Sequence, residues 1–335
     1  MSLEPALQHA IEEKLQHDFG LDGIIEFSVI RGGHLCKNYF LQTSKERYFL
    51  KQYRSISSVA DIKAAEIFFF THGFPVILPI RSNKGRDFFD IEEHRFSLFP
   101  FVDQISPRAS ELTKTMIASM GTTLAKMHSI GKDEKHTRYA PIRLWKREDF
   151  FASLHILETF LAKQESISPM QKFALNSLHI QEEYLEEHQQ SPNDFSLPHD
   201  CLLHGDFIYT NLFFDGEGQI RSIYDFERTG MGPRAYELAR SIFLTCFDDG
   251  WEERNYEMAR DFLRAYTDVF PMQKDEYMLG ARMYAQHFMH MTWLETKVIL
   301  EKSGPHINLL HPARRRTVRF VEGVDQIVEK IWQPA

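Results

Sequence analysis

The sequence predicts an α+β protein of two lobes: a small antiparallel sheet carrying one helix, followed by a larger, mainly helical part. Three observations carry this expectation. The chain has 335 residues, about two domains at roughly 100 to 200 residues each. Residues 24 to 102 hold short β-branched and aromatic runs punctuated by Gly, Asn and Lys, the texture of strands. Beyond Pro107 apolar residues recur three or four apart, the period of helices. The boundary is placed after Asp103, giving lobes of residues 1–103 and 104–335.

Strands are expected over Ile24 to Ile30, Tyr39 to Thr43, Arg47 to Tyr53 and His94 to Phe101. Between the third and fourth, Ser58 to His72 reads as a helix, with Ile62, Ala65, Ile67 and Phe69 along it and a stop at Gly73 and Pro75. Helical spacing resumes at Leu112, Met116, Met120, Leu124 and Met127. Phe150 to Leu161 and Pro169 to Glu187 form an inserted helical hairpin. After short strands and loops over His199 to Phe226, helices are expected at Tyr236 to Phe247, Trp251 to Val269, Asp275 to Leu300 and Arg314 to Ile331.

Composition narrows the function. A hydrophobic fraction of 43% with 26% charged residues excludes a fibrous or unfolded chain. Lys plus Arg total 39 against 47 Asp plus Glu, a net charge of −8, so no global positive field gathers nucleic acid or anionic lipid. Cys36, Cys201 and Cys246 are odd in number and have no CxxC spacing, which fits a reducing compartment and neither a disulfide framework nor a zinc knuckle. Residues 1–16 lack a basic segment followed by an apolar one, and no apolar run approaches the roughly 20 residues that span a bilayer. A cytoplasmic protein without a membrane partner is expected.

The stretch that carries chemistry is His204, Gly205 and Asp206, with Asn211 five residues after the aspartate. Asp225, Phe226 and Glu227 follow, Asp225 lying 14 residues after Asn211 at the end of an apolar strand. Moving a γ-phosphoryl group to an alcohol needs a carboxylate to orient the hydroxyl and take its proton. It also needs an amide oxygen and a second carboxylate to hold Mg²⁺ against the phosphates. Asp206, Asn211 and Asp225 supply that set in that order. Taken singly, each is a common turn former or helix cap; the joint spacing between apolar strands is what points to catalysis.

This HGDxxxxN and DFE pattern resembles the protein-kinase-like phosphotransferases, and within them the aminoglycoside phosphotransferase, choline kinase and type II homoserine kinase superfamily. The resemblance covers residues 24 to 247 and implies a bilobal protein-kinase-like fold using ATP as co-substrate with Mg²⁺. It makes Asp206 the catalytic base and Asn211 and Asp225 the metal ligands. Lys51, in the third strand, is similar to the lysine that grips the ATP phosphates, and Glu66 to the helix glutamate that pairs with it. Gly32 and Gly33 match the loop over the phosphates, where missing side chains let backbone N–H groups approach an anion. Phe99 and Phe101, within the hinge-like Ser97 to Asp103, fall where apolar side chains sandwich adenine. His128 resembles a scaffold residue beneath the catalytic loop.

Several features depart from the pattern. Asp18, Phe19 and Gly20 spell DFG but precede the lysine strand, so topology excludes a metal role. Pro233 and Glu237 replace the two aspartates of a GDPxxDLA-like turn, which puts local support of the catalytic loop in doubt. His287 and His290, with Glu295 beyond, have a spacing that binds metal only if a third ligand converges. Arg314, Arg315, Arg316 and Arg319 read as a basic solvated face, with contact to an anionic substrate as the alternative.

For the acceptor, Asp248, Asp249, Trp251 and Trp293 suit a cationic or amine-bearing molecule, although Asp249 with Glu252 also resembles a helix cap. The expected activity is ATP- and Mg²⁺-dependent phosphorylation of a hydroxyl on a small metabolite: an aminoglycoside, homoserine or choline-like compound. Two alternatives stay open. A protein Ser/Thr kinase of the same superfamily would phosphorylate a protein, and a nucleotide-binding pseudokinase would bind ATP without turnover.

Overall fold

A computed structural model describes residues 5–30, 37–53, 59–132, 139–301 and 305–332. The chain divides into two units, residues 1–106 with 210–229, and residues 107–209 with 230–335.

The first unit is built on a five-stranded antiparallel sheet. Its strands are β1 (Ile24–Ile30), β2 (Lys37–Thr43), β3 (Arg47–Tyr53), β4 (Phe89–Ile91) and β5 (His94–Pro100), in the order β1-β2-β3-β5-β4. Alternation along the strands separates two faces. Tyr39, Leu41, Leu50, Phe96 and Leu98 turn to one side, where Ile11 and Leu15 of helix α1 (Pro5–Phe19) complete a buried core. The sequence reading did not foresee α1, because its acids interrupt the apolar stripe. Asp18 is buried at its end and binds His17, Lys14 and Lys84, so the DFG tripeptide serves as an anchor. Helix α2 (Val59–Thr71) lies where the single inserted helix was expected. The chain returns to this unit as a hairpin of β7 (Leu212–Phe214) and β8 (Ile220–Ile223), stitched on by backbone bonds from Ile223 N to Pro75 O (2.8 Å) and Phe214 N to Ile105 O (2.9 Å).

The second unit is helical: α3 (Lys114–Gly131), the hairpin α4 (Arg147–Ala162) and α5 (Pro169–Glu187), α6 (Arg234–Cys246), α7 (Glu253–Thr267), α8 (Lys274–Met289), α9 (Trp293–Glu301) and α10 (Pro305–Ile331). Two short strands, β6 (Cys201–Leu203) and β9 (Gly230–Gly232), pair just before the HGD loop. Ser168 caps α5 with a reciprocal bond from Gln171, the residue pattern that marks a helix start.

Two helical expectations are corrected. Asp275 to Leu300 is not one helix but α8 and α9, broken at His290 to Thr292. The side chain of Gln181 donates to the carbonyls of Met289 (2.6 Å) and Met291 (3.1 Å), and Arg314 also donates to Met291 (3.0 Å). Long-range partners thus satisfy backbone groups that a continuous helix would pair internally, a compensation invisible to periodicity. The last helix begins at Pro305 rather than Arg314 and carries Pro312 inside it. Its arginines are not simply a solvated face: Arg314 pairs with the fully buried Glu295, and Arg316 with Asp248.

Among the described residues no helix is long and apolar enough to cross a membrane, and no cluster of three or more His, Cys, Asp or Glu residues could hold a metal. His287 instead bonds the Tyr236 hydroxyl (2.5 Å), and Trp145 stacks near both His287 and His290. Cys201 and Cys246 are buried free thiols.

Candidate active site

In the sheet unit, strand alternation carries the charged chemistry. Phe49, Lys51 and Tyr53 leave β3 on the face opposite α1, and the register Lys51↔Ser97 and Phe49↔Phe99 puts Phe99 beside them. Phe99 is 1% exposed, edge-on to Tyr224 at 5.5 Å and near Phe49 at 6.2 Å. Phe101 lies edge-on to Phe40, with the Arg47 guanidinium over its ring.

The hairpin explains the 14-residue interval between Asn211 and Asp225. Leu212 pairs with Ile223, so Asn211 and Tyr224 flank its open end, and the Tyr224 N–H donates to the Asn211 carbonyl (3.0 Å). Asp225 follows in a left-handed conformation (φ 68°). That backbone costs an L-residue on the order of 1 kcal/mol and is best tolerated by Asp and Asn. The turn presents Asp225 Oδ1 to Lys51 Nζ at 2.7 Å, and Glu227 Oε1 meets the same ammonium at 2.7 Å. Burial opposes the Lys51 charge, but Asp225, Tyr224 and Glu227 outweigh it and hold its pKa well above the ordinary lysine value.

The expected Lys51–Glu66 pair is corrected. Both oxygens of Glu66 are taken by Lys63, three residues earlier on α2, at 3.0 and 2.8 Å. Lys63 and Glu66 are both buried, and Lys63 also sits 4.6 Å over the Phe99 ring. Burial pushes the Glu66 carboxyl up and the Lys63 ammonium down, each offset in part by the other. Lys63 was hidden in the sequence as an ordinary charged position on a mostly apolar helix. Gly32 and Gly33 lie outside the described residues.

In the helical unit, the HGD loop leaves β6 and turns at Gly205, whose φ of 82° favours glycine. The Asp206 N–H donates to His204 Nδ1 (3.2 Å). Glu237 on α6 accepts from the backbone N–H groups of His204 (3.1 Å) and Gly205, and from His128 Nε2 (2.8 Å). His128, fully buried, also binds the Tyr266 hydroxyl (2.8 Å). The longer glutamate therefore gives the loop the support that the departure at this position put in doubt. Burial alone would raise the Glu237 pKa; its hydrogen bonds outweigh that and hold it below the ordinary value. One turn further along α6, Arg240 lies 2.5 Å from Asp206 Oδ1.

Of the acceptor candidates, Asp248 binds the Tyr209 hydroxyl (2.6 Å) and pairs with Arg316. Trp251 stacks on Phe247 at 4.6 Å and lies under the Arg319 guanidinium at 4.9 Å. Asp249 accepts from Asn255 Nδ2 (2.8 Å) and pairs with Arg254, but the capping box of α7 is Glu252 with Asn255, so the expected Asp249–Glu252 cap is corrected by three residues. Trp293 opens α9, edge-on to His306. A cavity of about 520 Å³ opens between α5 and α10, with Arg315, Arg319, Gln181 and Phe173 in its lining. Sequence reasoning included Tyr209 in the HGD stretch without giving it a role and did not single out Arg240; their pairings link positions 39 and 34 residues apart along the chain.

The five-stranded sheet with its lysine and DFE hairpin, and the mainly helical unit with its HGD loop, define a protein-kinase-like phosphotransferase. A sequence model of the phosphotransferase enzyme family matches residues 26–277, and the chain belongs to that family. It is a small-molecule kinase acting on an alcohol group. It is 26% identical over 267 residues to a homoserine kinase of Parvibaculum lavamentivorans, covering 77% of this chain and 76% of that protein. The fold is similar to that of a spectinomycin phosphotransferase solved with ADP and spectinomycin (TM-score 0.65, 15% identity, 97% of each chain). It is similar too to a Plasmodium vivax ethanolamine kinase (TM-score 0.64, 15% identity, 98% of this chain and 91% of that one).

Proposed function

We propose that this kinase transfers the γ-phosphoryl group of ATP, with Mg²⁺, to the hydroxyl of a small amino-acid alcohol of the homoserine type. The observation that carries the acceptor class is the Arg316–Asp248 pair, tied to the catalytic loop through Tyr209. A guanidinium beside a carboxylate offers complementary partners to the carboxylate and ammonium of a zwitterion. The homoserine kinase relatives support the same class.

Each residue then has a defined task. Lys51 binds the polyphosphate, its charge kept by Asp225 and Glu227. Asn211 and Asp225 offer the all-oxygen donor set that suits a hard divalent cation, so the residues present fit Mg²⁺. When bound, the metal compensates the phosphate charge that builds up in transfer. Asp206 orients the acceptor hydroxyl and takes its proton. Phe99, Phe101 and the segment holding Gly32 and Gly33 belong to nucleotide binding in this reading, with residues 1–103 serving the nucleotide and residues 104–335 the acceptor, apart from the 210–229 segment, whose Asn211 and Asp225 serve the nucleotide's metal. Asp248 and Trp251 contribute to the acceptor site, whereas Asp249 is engaged by Asn255 and Arg254 and Trp293 packs against His306.

A panel of L-homoserine, choline, ethanolamine, spectinomycin and a generic protein substrate, each assayed for ATP-dependent phosphorylated product, tests the proposal. The largest kcat/KM is expected for L-homoserine. Product on the protein alone would establish the Ser/Thr kinase alternative, and ATP binding without product on any acceptor the pseudokinase.

A further inference from the structure

We infer that Arg240 is a positioning residue for phosphoryl transfer, acting through the carboxylate of Asp206. This rests on the assignment of Asp206 as the group that orients the acceptor hydroxyl. Arg240 lies on α6, three residues after Glu237, and so on the same helix face one turn on. Glu237 holds the backbone of the loop at His204 and Gly205, while Arg240 meets the side chain of Asp206 at 2.5 Å. A single helical turn thus fixes both the main chain of the HGD loop and its functional carboxylate.

Burial makes the contact informative. The Arg240 side chain is 7% exposed and that of Asp206 21%. A guanidinium taken out of water loses the hydration of five N–H donors, which packing alone does not repay. Among the described residues the ion pair of Arg240 is with Asp206, and its Nε makes no hydrogen bond. Besides Asp206, the phenol groups of Tyr284 and Tyr236 favour its charge. Arg234, on the same helix, shows a different arrangement: it forks Glu276 through Nε and Nη2 at 2.8 and 2.9 Å, a two-point bond to a carboxylate of α8. The Arg240 contact is directed at the reacting carboxylate.

The chemical consequence follows from the reaction. In a loose phosphoryl-transfer transition state the hydroxyl needs alignment more than early deprotonation. A fixed cation at one oxygen restricts rotation of the Asp206 carboxylate, which suits alignment. Loss of the cation releases the carboxylate, and misplacement on the order of 1 Å costs about 10²-fold in rate.

The test is a cycle of full-length variants: Arg240→Met, Arg240→Lys, Asp206→Asn and Asp206→Asn with Arg240→Met, assayed for kcat, acceptor KM and ATP affinity. Arg240→Met is expected to lower kcat about 10²-fold with ATP affinity unchanged, and Arg240→Lys to recover part of that loss. In the Asp206→Asn background, Arg240→Met should change kcat by less than about twofold, because there is no carboxylate left to position. Wild-type kcat in Arg240→Met, or losses that multiply in the double variant, would overturn the inference. If Arg240→Met does not fold, the decision passes to Arg240→Lys, whose kcat must fall while its ATP affinity and thermal midpoint stay near wild type; an unchanged kcat in that variant overturns the inference. Should Asp206→Asn itself keep full product formation, the assignment of the base fails first, and the two failures are distinguishable.

Discussion

Lys51 and Asp225 are 174 positions apart in the chain and meet at 2.7 Å, with Glu227 completing the clasp at the same distance. The lysine reaches them because β3 alternation selects its face, and the aspartate because the β7–β8 hairpin ends in a left-handed residue. Removal of either partner leaves a charge in a partly dry environment. Asp225→Ala should abolish turnover and remove the Mg²⁺ dependence of ATP binding, which calorimetry with and without the metal measures. Wild-type turnover at saturating Mg²⁺ would remove Asp225 from the metal set.

The Lys63–Glu66 pair gives a stability prediction. Each side chain is about 5% exposed, so Glu66→Ala strands a buried ammonium. Breaking a buried pair from one side typically costs about 3–5 kcal/mol. Chemical denaturation should show that loss, and Lys63→Met with Glu66→Leu together should restore most of it. A Glu66 cycle with Lys51 should show much weaker coupling; equal coupling to both lysines would refute the pairing.

Glu237 predicts a pH dependence. Its folded pKa is depressed, so the stability it contributes is fully present above the unfolded value of about 4.3 and is lost as pH falls through the lower folded value. Wild-type unfolding free energy should therefore drop more steeply below about pH 4.3 than that of Glu237→Gln. Parallel curves for the two proteins would show that Glu237 is not the group responsible.

How much of this was legible in the sequence depends on the range of each interaction. Local patterns gave the antiparallel sheet, the α2 helix and the α4–α5 hairpin, because apolar period and stop residues are encoded within one element. The motif spacing likewise singled out Asp206, Asn211 and Asp225 as candidates, and the interval between the last two matches the β7–β8 hairpin. Partner choice was not encoded in the apolar period. Lys63 displaced Lys51 at Glu66 through the i,i+3 geometry of one helix, and Gln181 and Arg314 allowed a break before α9 that hydropathy alone does not mark. The Arg316–Asp248 pair joins residues 68 apart and has no signature in either segment.

Helix packing beneath the loop can be probed at Gly280. A Cβ there would run into the backbone carbonyl of Ala235 on α6, the helix that bears Glu237 and Arg240. Gly280→Ala is expected to cost about 1–3 kcal/mol through overpacking and to lower kcat together with thermal stability. Unaltered stability would mean that α8 can shift without disturbing α6.

At the acceptor, Arg316→Ala and Asp248→Asn should each raise KM for L-homoserine about tenfold or more, as expected when one charged partner of a bound ligand is lost. KM for ATP should not change. A rise in ATP KM alone would detach the pair from acceptor recognition.

The most direct measurement is product formation by Asp206→Asn beside its ATP affinity on one preparation. The substitution keeps shape but removes the carboxylate, a role worth about 10²- to 10⁴-fold. Phosphorylated acceptor should fall by that factor while ATP binds as in the wild type. Undiminished product with normal ATP binding would contradict the catalytic assignment on which the proposed reaction depends.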